Sequence, residues 1–204
     1  MQVDFWFEFG STYSYPAAMR VEDEARSRGV ALRWRPFLLG PIFKSQGWTD
    51  SPFNIYPVKG RYMWRDMERI CEERGIPLKH PSRFPRNGLL PARLVARFED
   101  EPWTAAFVRG IYRANFAEDR EISDPSVVAS VLESVGQSAS LLAESGSEHA
   151  KSKLRANTDE AIALGIFGAP SLVTGGELFW GNDRLESALD WATRSPRASA
   201  SPVS

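Results

Sequence analysis

The sequence changes its hydrophobic period twice near its N-terminus, and this pattern constrains the fold more than any other feature. From Val3 to Phe9, phenylalanines alternate with other side chains, and a period of two predicts a β-strand. Residues 13–28 then place alanine and valine at helical spacing, and Gly29 ends that helix. Alternation returns at residues 31–37 and predicts a second strand. A strand, a helix and a strand with short connections form a βαβ unit, in which the two strands are parallel.

The middle of the sequence, from Leu38 to about Gly165, has helical patterns and no convincing strand. Three of its segments open with proline, which is favoured in the first turn of a helix. The predicted helices span residues 60–74, 91–98, 102–116, 125–135 and 148–164. This part of the chain is therefore predicted to be all-helical.

The last part of the sequence returns to strands. Two short runs, 171–174 and 178–180, flank Gly175-Gly176 and predict a tight hairpin, and a final helix capped by Asn182 or Asp183 follows. The order βαβ, helical segment, ββα predicts an α/β protein with a thioredoxin-like sheet. The predicted units are a thioredoxin-like domain of residues 1–40 and 165–194, a helical insertion of residues 41–164, and a disordered tail of residues 195–204.

Composition argues against several classes of function. The 204 residues carry a formal net charge of −1 with acids interleaved among the bases, so no basic stripe for nucleic acid is expected. A single cysteine, Cys71, excludes an intrachain disulfide, and two histidines give no basis for a metal site. No apolar stretch approaches about 20 residues, and the N-terminus lacks the pattern of a signal peptide. We therefore expect a cytoplasmic location, with no membrane, nucleic-acid or metal partner.

The turn after the first strand reads Phe9-Gly10-Ser11-Thr12-Tyr13-Ser14, with serines where a thioredoxin-type redox protein carries its Cys-x-x-Cys pair. Because serine cannot cycle between thiol and disulfide, dithiol oxidoreductase chemistry is nearly excluded. Ser11 has two interpretations. It caps the following helix, as serine prefers to do, or its hydroxyl and the helix N-terminus together stabilise the thiolate of a ligand.

Two further motifs lie near the C-terminus. Phe167-Gly168-Ala169-Pro170 leads into the third predicted strand, as the proline loop of a thioredoxin-like site does. A trans Pro170 would only start the strand, whereas a cis bond would turn the Ala169 N–H and C=O outward to pair with a peptide-like ligand. Trp180-Gly181-Asn182-Asp183-Arg184 either caps the last helix or binds an amino-acid-like head group, with the ammonium on Asp183.

Five stretches of the sequence together resemble a known family. They are residues 4–15, 57–66, 81–87, 167–170 and 179–184. They are similar to the 2-hydroxychromene-2-carboxylate isomerase family, within the DsbA and kappa-class glutathione transferase group, over almost the whole chain. One departure is Thr12, where many relatives have a proline directly after the serine.

The resemblance implies a glutathione-dependent cis–trans isomerase that acts on an aromatic carboxylate as a homodimer. By this resemblance, Ser11 is the catalytic residue and holds the glutathione thiolate, while glutathione is regenerated and so acts as a cofactor. The resemblance assigns ligand contacts to Ser11, Phe37, Asn54, Lys59, Ala169, Pro170, Asn182 and Asp183, and gives Lys44, Arg83 and Arg86 as candidates for the substrate carboxylate.

Two other functions compete with the isomerase. A kappa-type glutathione transferase would use the same Ser11 and Pro170, but it would consume glutathione and release a conjugate. A catalytically silent thioredoxin-like binding module would use its serines only as helix caps, and it predicts no affinity for glutathione.

Overall fold

The computed structural model describes residues 1–194 and is built around one four-stranded sheet. The strands are β1 (Gln2–Phe7), β2 (Ala31–Pro36), β3 (Ser171–Thr174) and β4 (Glu177–Trp180). Their order in the sheet is β2-β1-β3-β4, with β1 and β2 parallel and the other two pairs antiparallel. This mixed sheet confirms the predicted thioredoxin-like α/β fold.

Helices make up most of the remaining chain. They are α1 (Ser14–Ser27), α2 (Leu39–Ser45), α3 (Pro52–Ile55), α4 (Pro57–Arg74), α5 (Leu89–Arg97), α6 (Thr104–Phe116), α7 (Pro125–Ser134), α8 (Glu148–Ala163) and α9 (Leu185–Thr193), with 3-10 helices at Ala139–Gly146 and Asn182–Arg184. Within residues 1–194, no strand lies between β2 and β3. None of the described helices is long and apolar enough to cross a bilayer.

Two short helices between β2 and α4 were not predicted from the sequence. The helix α2 has seven residues and α3 has four, and helices of that length are too short to be stable by propensity alone. Local contacts hold α3, which starts at Pro52 and is capped by the Ser51 hydroxyl accepting from the Phe53 N–H. The predicted disordered tail, 195–204, lies outside the described residues.

The core has two parts because β1 is buried on both faces. Phe5 and Phe7 belong to the larger cluster, where the Phe5 ring meets Trp34 edge-on at 5.2 Å. Trp6 points to the other face and belongs to a smaller cluster with Phe37, whose ring centroid lies 6.1 Å away. Strand β1 therefore ends in a fully packed environment, which fixes the turn that follows it.

The helical segment packs directly on the sheet through α8. Asn157 donates to the Pro36 carbonyl at 3.2 Å, and the Thr158 hydroxyl accepts from the Leu38 N–H at 3.2 Å. Arg35 pairs with Glu160 and stacks over Trp6. These contacts bind α8 to β2, and the division of the chain at residues 41 and 164 stays a prediction.

Candidate active site

Ser11 lies in the turn between β1 and α1 and contacts both the helix and the proline loop. Its hydroxyl donates to the Ala169 carbonyl at 2.8 Å and accepts from the Ser14 N–H at 3.3 Å. The second contact satisfies the first N–H of α1, so Ser11 does cap this helix. The first contact places the hydroxyl at the proline loop, where a capping role alone does not require it.

The proline loop closes over Ser11 with a cis peptide bond between Ala169 and Pro170. The Pro170 carbonyl accepts from the Gly181 N–H at 2.9 Å, which ties the loop to the start of the 3-10 helix after β4. The expectation that both Ala169 backbone groups are free for a ligand is wrong for the carbonyl, because Ser11 donates to it.

Gly168 allows Trp180 to lie against the proline loop. A Cβ at residue 168 would overlap the indole nitrogen and come within 3.1 Å of Cε2 of Trp180. The Trp180 ring also meets Phe167 with centroids 4.9 Å apart, and about half of its surface is exposed. This pair forms one apolar wall beside Ser11.

A cavity of about 670 Å³ opens in front of Ser11. One side consists of the β1–α1 turn and the proline loop, and the other comes from α2, the residues leading into α3, and residues 84–89. Its surface is mainly apolar, with Phe43, Trp48 and Phe53 among the lining side chains. This size and lining suit a small aromatic molecule together with part of a peptide-like ligand.

Three of the residues predicted to contact glutathione line this cavity: Ser11, Lys59 and Ala169. Lys59 lies near the first turn of α4, with its ammonium 4.9 Å from the centre of the Tyr56 ring. Asn54 is exposed, and its amide donates to Asp50 at 3.0 Å and to the Phe84 carbonyl at 3.3 Å. It therefore supports the cavity wall and does not line the cavity.

Phe37 lies away from the cavity, contrary to its predicted contact with the ligand. Its side chain is fully buried against Trp6 in the smaller core cluster and does not line the cavity. The alternation that placed Phe37 at the end of a strand did not show on which face of the sheet the cavity lies.

Asn182 and Asp183 lie beside the proline loop but do not cap α9. Arg20 holds Asn182 by donating to its backbone carbonyl at 2.7 Å and to its side-chain oxygen at 3.2 Å, and the same guanidinium pairs with Glu186. Neither Asn182 nor Asp183 makes the predicted side-chain cap of the last helix. Asp183 is exposed, and its carboxylate lies 3.4 Å from Arg184.

Arg86 lines the cavity, but other residues of the protein engage its guanidinium, so its role as a ligand of the substrate carboxylate stays a prediction. Its side chain is only 2% exposed, and Nη1 donates to the Asn115 carbonyl at 3.0 Å while Nη2 pairs with Asp119. The Ser82 N–H and the Arg86 guanidinium lower the pKa of Asp119 to about 2, so this partner is ionised. Lys44 and Arg83 are exposed and do not line the cavity.

Two polar residues of the cavity were missed by sequence reasoning. Glu8 was assigned to a strand, but β1 ends at Phe7, and its carboxyl turns back to accept from the Gly10 N–H at 2.9 Å. Burial raises the pKa of Glu8 to about 7. The Tyr13 hydroxyl donates to Asp66 at 3.0 Å, and burial together with that carboxylate raises its pKa. An acid three residues before Ser11 was the only signal in the sequence.

A thioredoxin fold whose redox turn carries serine, with that serine against a proline loop and an open apolar cavity, defines a thioredoxin-like protein whose turn has no redox pair of its own. The chain belongs to the family of DSBA-like thioredoxin domains, whose model matches residues 2–190.

Its relatives include isomerases and glutathione transferases. The chain is 32% identical to a 2-hydroxychromene-2-carboxylate isomerase of Sphingobium xenophagum, over 90% of this chain and 94% of that protein. It is 30% identical to glutathione S-transferase kappa 2 of Caenorhabditis elegans, over 93% and 90% of the two chains. A solved 2-hydroxychromene-2-carboxylate isomerase superposes with a TM-score of 0.84 at 30% identity, over 94% and 95%. These findings confirm the family resemblance drawn from the five sequence stretches.

Proposed function

We propose that this protein is a glutathione-dependent isomerase that interconverts 2-hydroxychromene-2-carboxylate, or a related aromatic intermediate, and its open-chain trans isomer. The observation that carries the proposal is the Ser11 hydroxyl, which lies at the N-terminus of α1, 2.8 Å from the proline loop and at the base of an apolar cavity. The names of the relatives point to the same activity.

The position of Ser11 suits a thiolate. Lowering a thiol pKa from about 8.5 to about 6.5 requires about 2.7 kcal/mol of anion stabilisation. One charge-assisted hydrogen bond contributes about 1.5–3 kcal/mol and a helix N-terminus about 0.3–1 kcal/mol, so the two together are sufficient. To donate to a thiolate, the hydroxyl would exchange its present acceptor, the Ala169 carbonyl, for the sulfur.

The rest of glutathione would extend from Ser11 along the proline loop. We assign its cysteinyl backbone to the loop at Ala169, beside Pro170, and its amino-acid head group to the region of Asn182 and Asp183. A carboxylate of glutathione or of the substrate falls to Lys59, since the other cation in the lining, Arg86, is engaged by Asp119. Phe37 takes no part in this assignment.

The chemistry that glutathione supplies when bound is reversible addition of a thiolate, which converts a double bond of the substrate into a rotatable single bond. The protein's own residues orient and shield this reaction. Ser11 holds the sulfur in its anionic form, and Trp180 with Phe167 covers one side of it. The apolar surfaces of Phe43, Trp48 and Phe53 would receive the aromatic ring and exclude water from the addition.

A kappa-type transferase is the second candidate, because glutathione S-transferase kappa 2 of Caenorhabditis elegans matches 93% of the chain. The two functions differ in the fate of glutathione, which the isomerase regenerates and the transferase consumes. Stoichiometry of glutathione over many turnovers of hydroxychromene carboxylate therefore separates them.

The first test is glutathione binding by calorimetry, together with ultraviolet difference spectra of the thiolate near roughly 240 nm. We expect binding and a thiolate signal at neutral pH, followed by turnover of hydroxychromene carboxylate with no net loss of glutathione. No binding at millimolar glutathione would contradict both glutathione-dependent functions and leave a silent thioredoxin-like module.

We further propose that the protein works in the cytoplasm as a homodimer. A reducing compartment supplies millimolar thiol ligand, and the single cysteine, Cys71, is buried and takes no part in a disulfide. Sedimentation analysis at micromolar concentration tests the homodimer, and a monomer under those conditions would contradict it.

A further inference from the structure

The Glu8 carboxyl lies where the end of β1 meets the helical segment, and it lines the same cavity as Ser11. Its Oε2 is 2.9 Å from the Gly10 N–H, and Oε1 faces Gly88, just before α5. A Cβ at residue 10 would come within 3.1 Å of Oε2, and one at residue 88 within 3.4 Å of Oε1. The carboxyl is therefore packed closely against Gly10, where a side chain would crowd it, and it lines the cavity.

No cation among residues 1–194 pairs with this carboxyl. From α6, the Tyr112 hydroxyl donates to the Glu8 backbone carbonyl at 2.9 Å. From the loop before α5, Arg86 presents its backbone carbonyl to the turn and directs its guanidinium to Asn115 and Asp119. The other titratable side chains of the cavity are Tyr13, Asp50 and Lys59. The Tyr13 hydroxyl donates a hydrogen bond to Asp66, and Asp50 and Lys59 are exposed.

Holding the turn does not explain a carboxyl at this position. The carboxyl accepts one hydrogen bond, from the Gly10 N–H, and a glutamine side chain could accept it too. The Ser11 N–H donates instead to the Glu8 backbone carbonyl, at 3.0 Å. A carboxylate withdrawn from water without a cation costs more free energy than a neutral amide does. The carboxyl at residue 8 thus lowers stability at neutral pH, as is common for groups that transfer protons.

We propose that Glu8 transfers the proton that opens the substrate ring: its carboxylate accepts the proton of the substrate hydroxyl and then donates it to the oxygen that leaves the ring. This role rests on the proposed isomerase function. Ser11 then stabilises the thiolate of glutathione, and Glu8 exchanges a proton with the oxygens of the substrate.

The step is balanced within the substrate and Glu8. In a 2-hydroxychromene-2-carboxylate, the hydroxyl and the ring oxygen share one carbon. As the hydroxyl loses its proton to Glu8, its electron pair forms the ketone C=O, and the bond from that carbon to the ring oxygen breaks. The ring oxygen takes the proton back from Glu8 and becomes a phenol. No oxidant, reductant or water is consumed, and the carboxylate is restored.

The experiment compares wild type, Glu8→Gln and Glu8→Asp, with Glu72→Gln on the exposed side of α4 as a charge-matched control. Turnover is measured from about pH 5 to 9, with the thiolate absorbance recorded at each pH so that ionisation of glutathione is separated from that of Glu8. We expect kcat/KM of the wild type to rise with pH through about 7, because the carboxylate is the active form.

Glu8→Gln should lower kcat by about 10²-fold and lose the rise with pH, while glutathione affinity and the thiolate signal stay unchanged. Glu8→Asp should recover part of the rate together with the pH dependence, and Glu72→Gln should match the wild type. Full turnover of Glu8→Gln with the wild-type pH profile would overturn the proposal. A wild-type protein that binds glutathione but leaves hydroxychromene carboxylate unchanged would instead overturn the proposed function.

An infrared titration of the wild type keeps the test independent of how well the variants fold. At about pH 6 the carboxylic-acid band of an ordinary glutamate is absent, whereas Glu8 should still show one and lose it by about pH 8. Absence of that band at about pH 6 would overturn the role of Glu8 as a group that exchanges protons near neutrality.

Discussion

At the scale of single residues, the Ser11 hydroxyl makes one contact that caps α1 and one that places it at the proposed glutathione site. The hydroxyl oxygen accepts a hydrogen bond from the Ser14 N–H and so caps α1. The same hydroxyl donates at 2.8 Å to the Ala169 carbonyl, which a thiolate could replace as acceptor. Under the proposed function, a serine in the position of a redox cysteine acts on sulfur that the ligand supplies.

Replacement of Ser11 by alanine should lower turnover by about 10²-fold, because a hydrogen bond worth about 2.7 kcal/mol to the thiolate is lost. The measurement is kcat with saturating glutathione and the thiolate absorbance of the complex. Ser14→Ala is the matched control, since Ser14 is buried in α1 and does not line the cavity. An unchanged rate in Ser11→Ala would remove Ser11 from the mechanism.

Glu8 should make the stability of the protein depend on pH. The folded protein keeps the Glu8 proton up to about pH 7, whereas the unfolded chain releases it near 4.5. The raised pKa therefore leaves stability intact below about pH 4.5, and stability is lost as the pH rises from there to about 7. A difference of that size in pKa corresponds to roughly 3 kcal/mol.

Chemical denaturation of wild type and Glu8→Gln at both ends of this range measures the effect. The free energy of unfolding of the wild type should fall relative to that of Glu8→Gln by roughly 3 kcal/mol between about pH 4.5 and 8. Parallel pH dependences of the two proteins would show that the Glu8 carboxyl is not desolvated in the folded state.

At the scale of elements, the proline loop and the β3–β4 hairpin form one wall of the site through Gly168 and Trp180. The hairpin brings Trp180 back over the loop because Ser171 is directly opposite Trp180 in the antiparallel register. The absence of a side chain at residue 168 then lets the indole lie on the backbone.

Gly168→Ala should displace Trp180 and destabilise the protein by about 1–3 kcal/mol, as overpacking of a rigid contact does. Glutathione affinity should fall with it, because the same loop carries Ala169. Thermal denaturation and calorimetry measure the two effects. Gly146→Ala is the control, since a Cβ at residue 146 meets no other atom within 4 Å, and equal stability of the two variants would contradict the packing argument.

At the scale of the whole molecule, a buried polar network connects the helical segment to the end of β1. Arg86 donates to Asn115, and Asn115 donates to the Phe9 carbonyl at 3.0 Å, just before Ser11. Asp119 completes the network by pairing with Arg86 and accepting from the Ser82 N–H at 2.7 Å. The two halves of the cavity are thus held in register by a network whose arginine, Arg86, also lines the cavity.

Arg86→Met should destabilise the fold by about 3 kcal/mol, because removal of one member of a buried pair leaves its partners unsatisfied. Arg83→Met, at an exposed position in the same loop, should change stability by less than about 0.5 kcal/mol. Urea denaturation gives both values. A normal stability of Arg86→Met together with a raised KM for the substrate would restore Arg86 as a ligand of the carboxylate.

The sequence by itself determined the strands, the long helices and the position of the turn between β1 and α1 that carries Ser11. Alternation over residues 3–9 and 31–37 and a helix between them allow little except a parallel βαβ unit, so Ser11 had to lie at the carboxyl end of β1. Periodicity and chain order are local properties, and they could be interpreted without knowing which surfaces meet.

Only the tertiary structure decided which side chains face the cavity. Phe37 became core because Trp6 lies on the same face, and Arg86 was taken up by Asp119, which is distant in the sequence. Glu8 became a cavity residue with a raised pKa because β1 ends at Phe7 and the carboxyl turns back to the Gly10 N–H, where burial disfavours its charge. Burial and pairing depend on contacts between distant parts of the chain, and no local pattern carries that information.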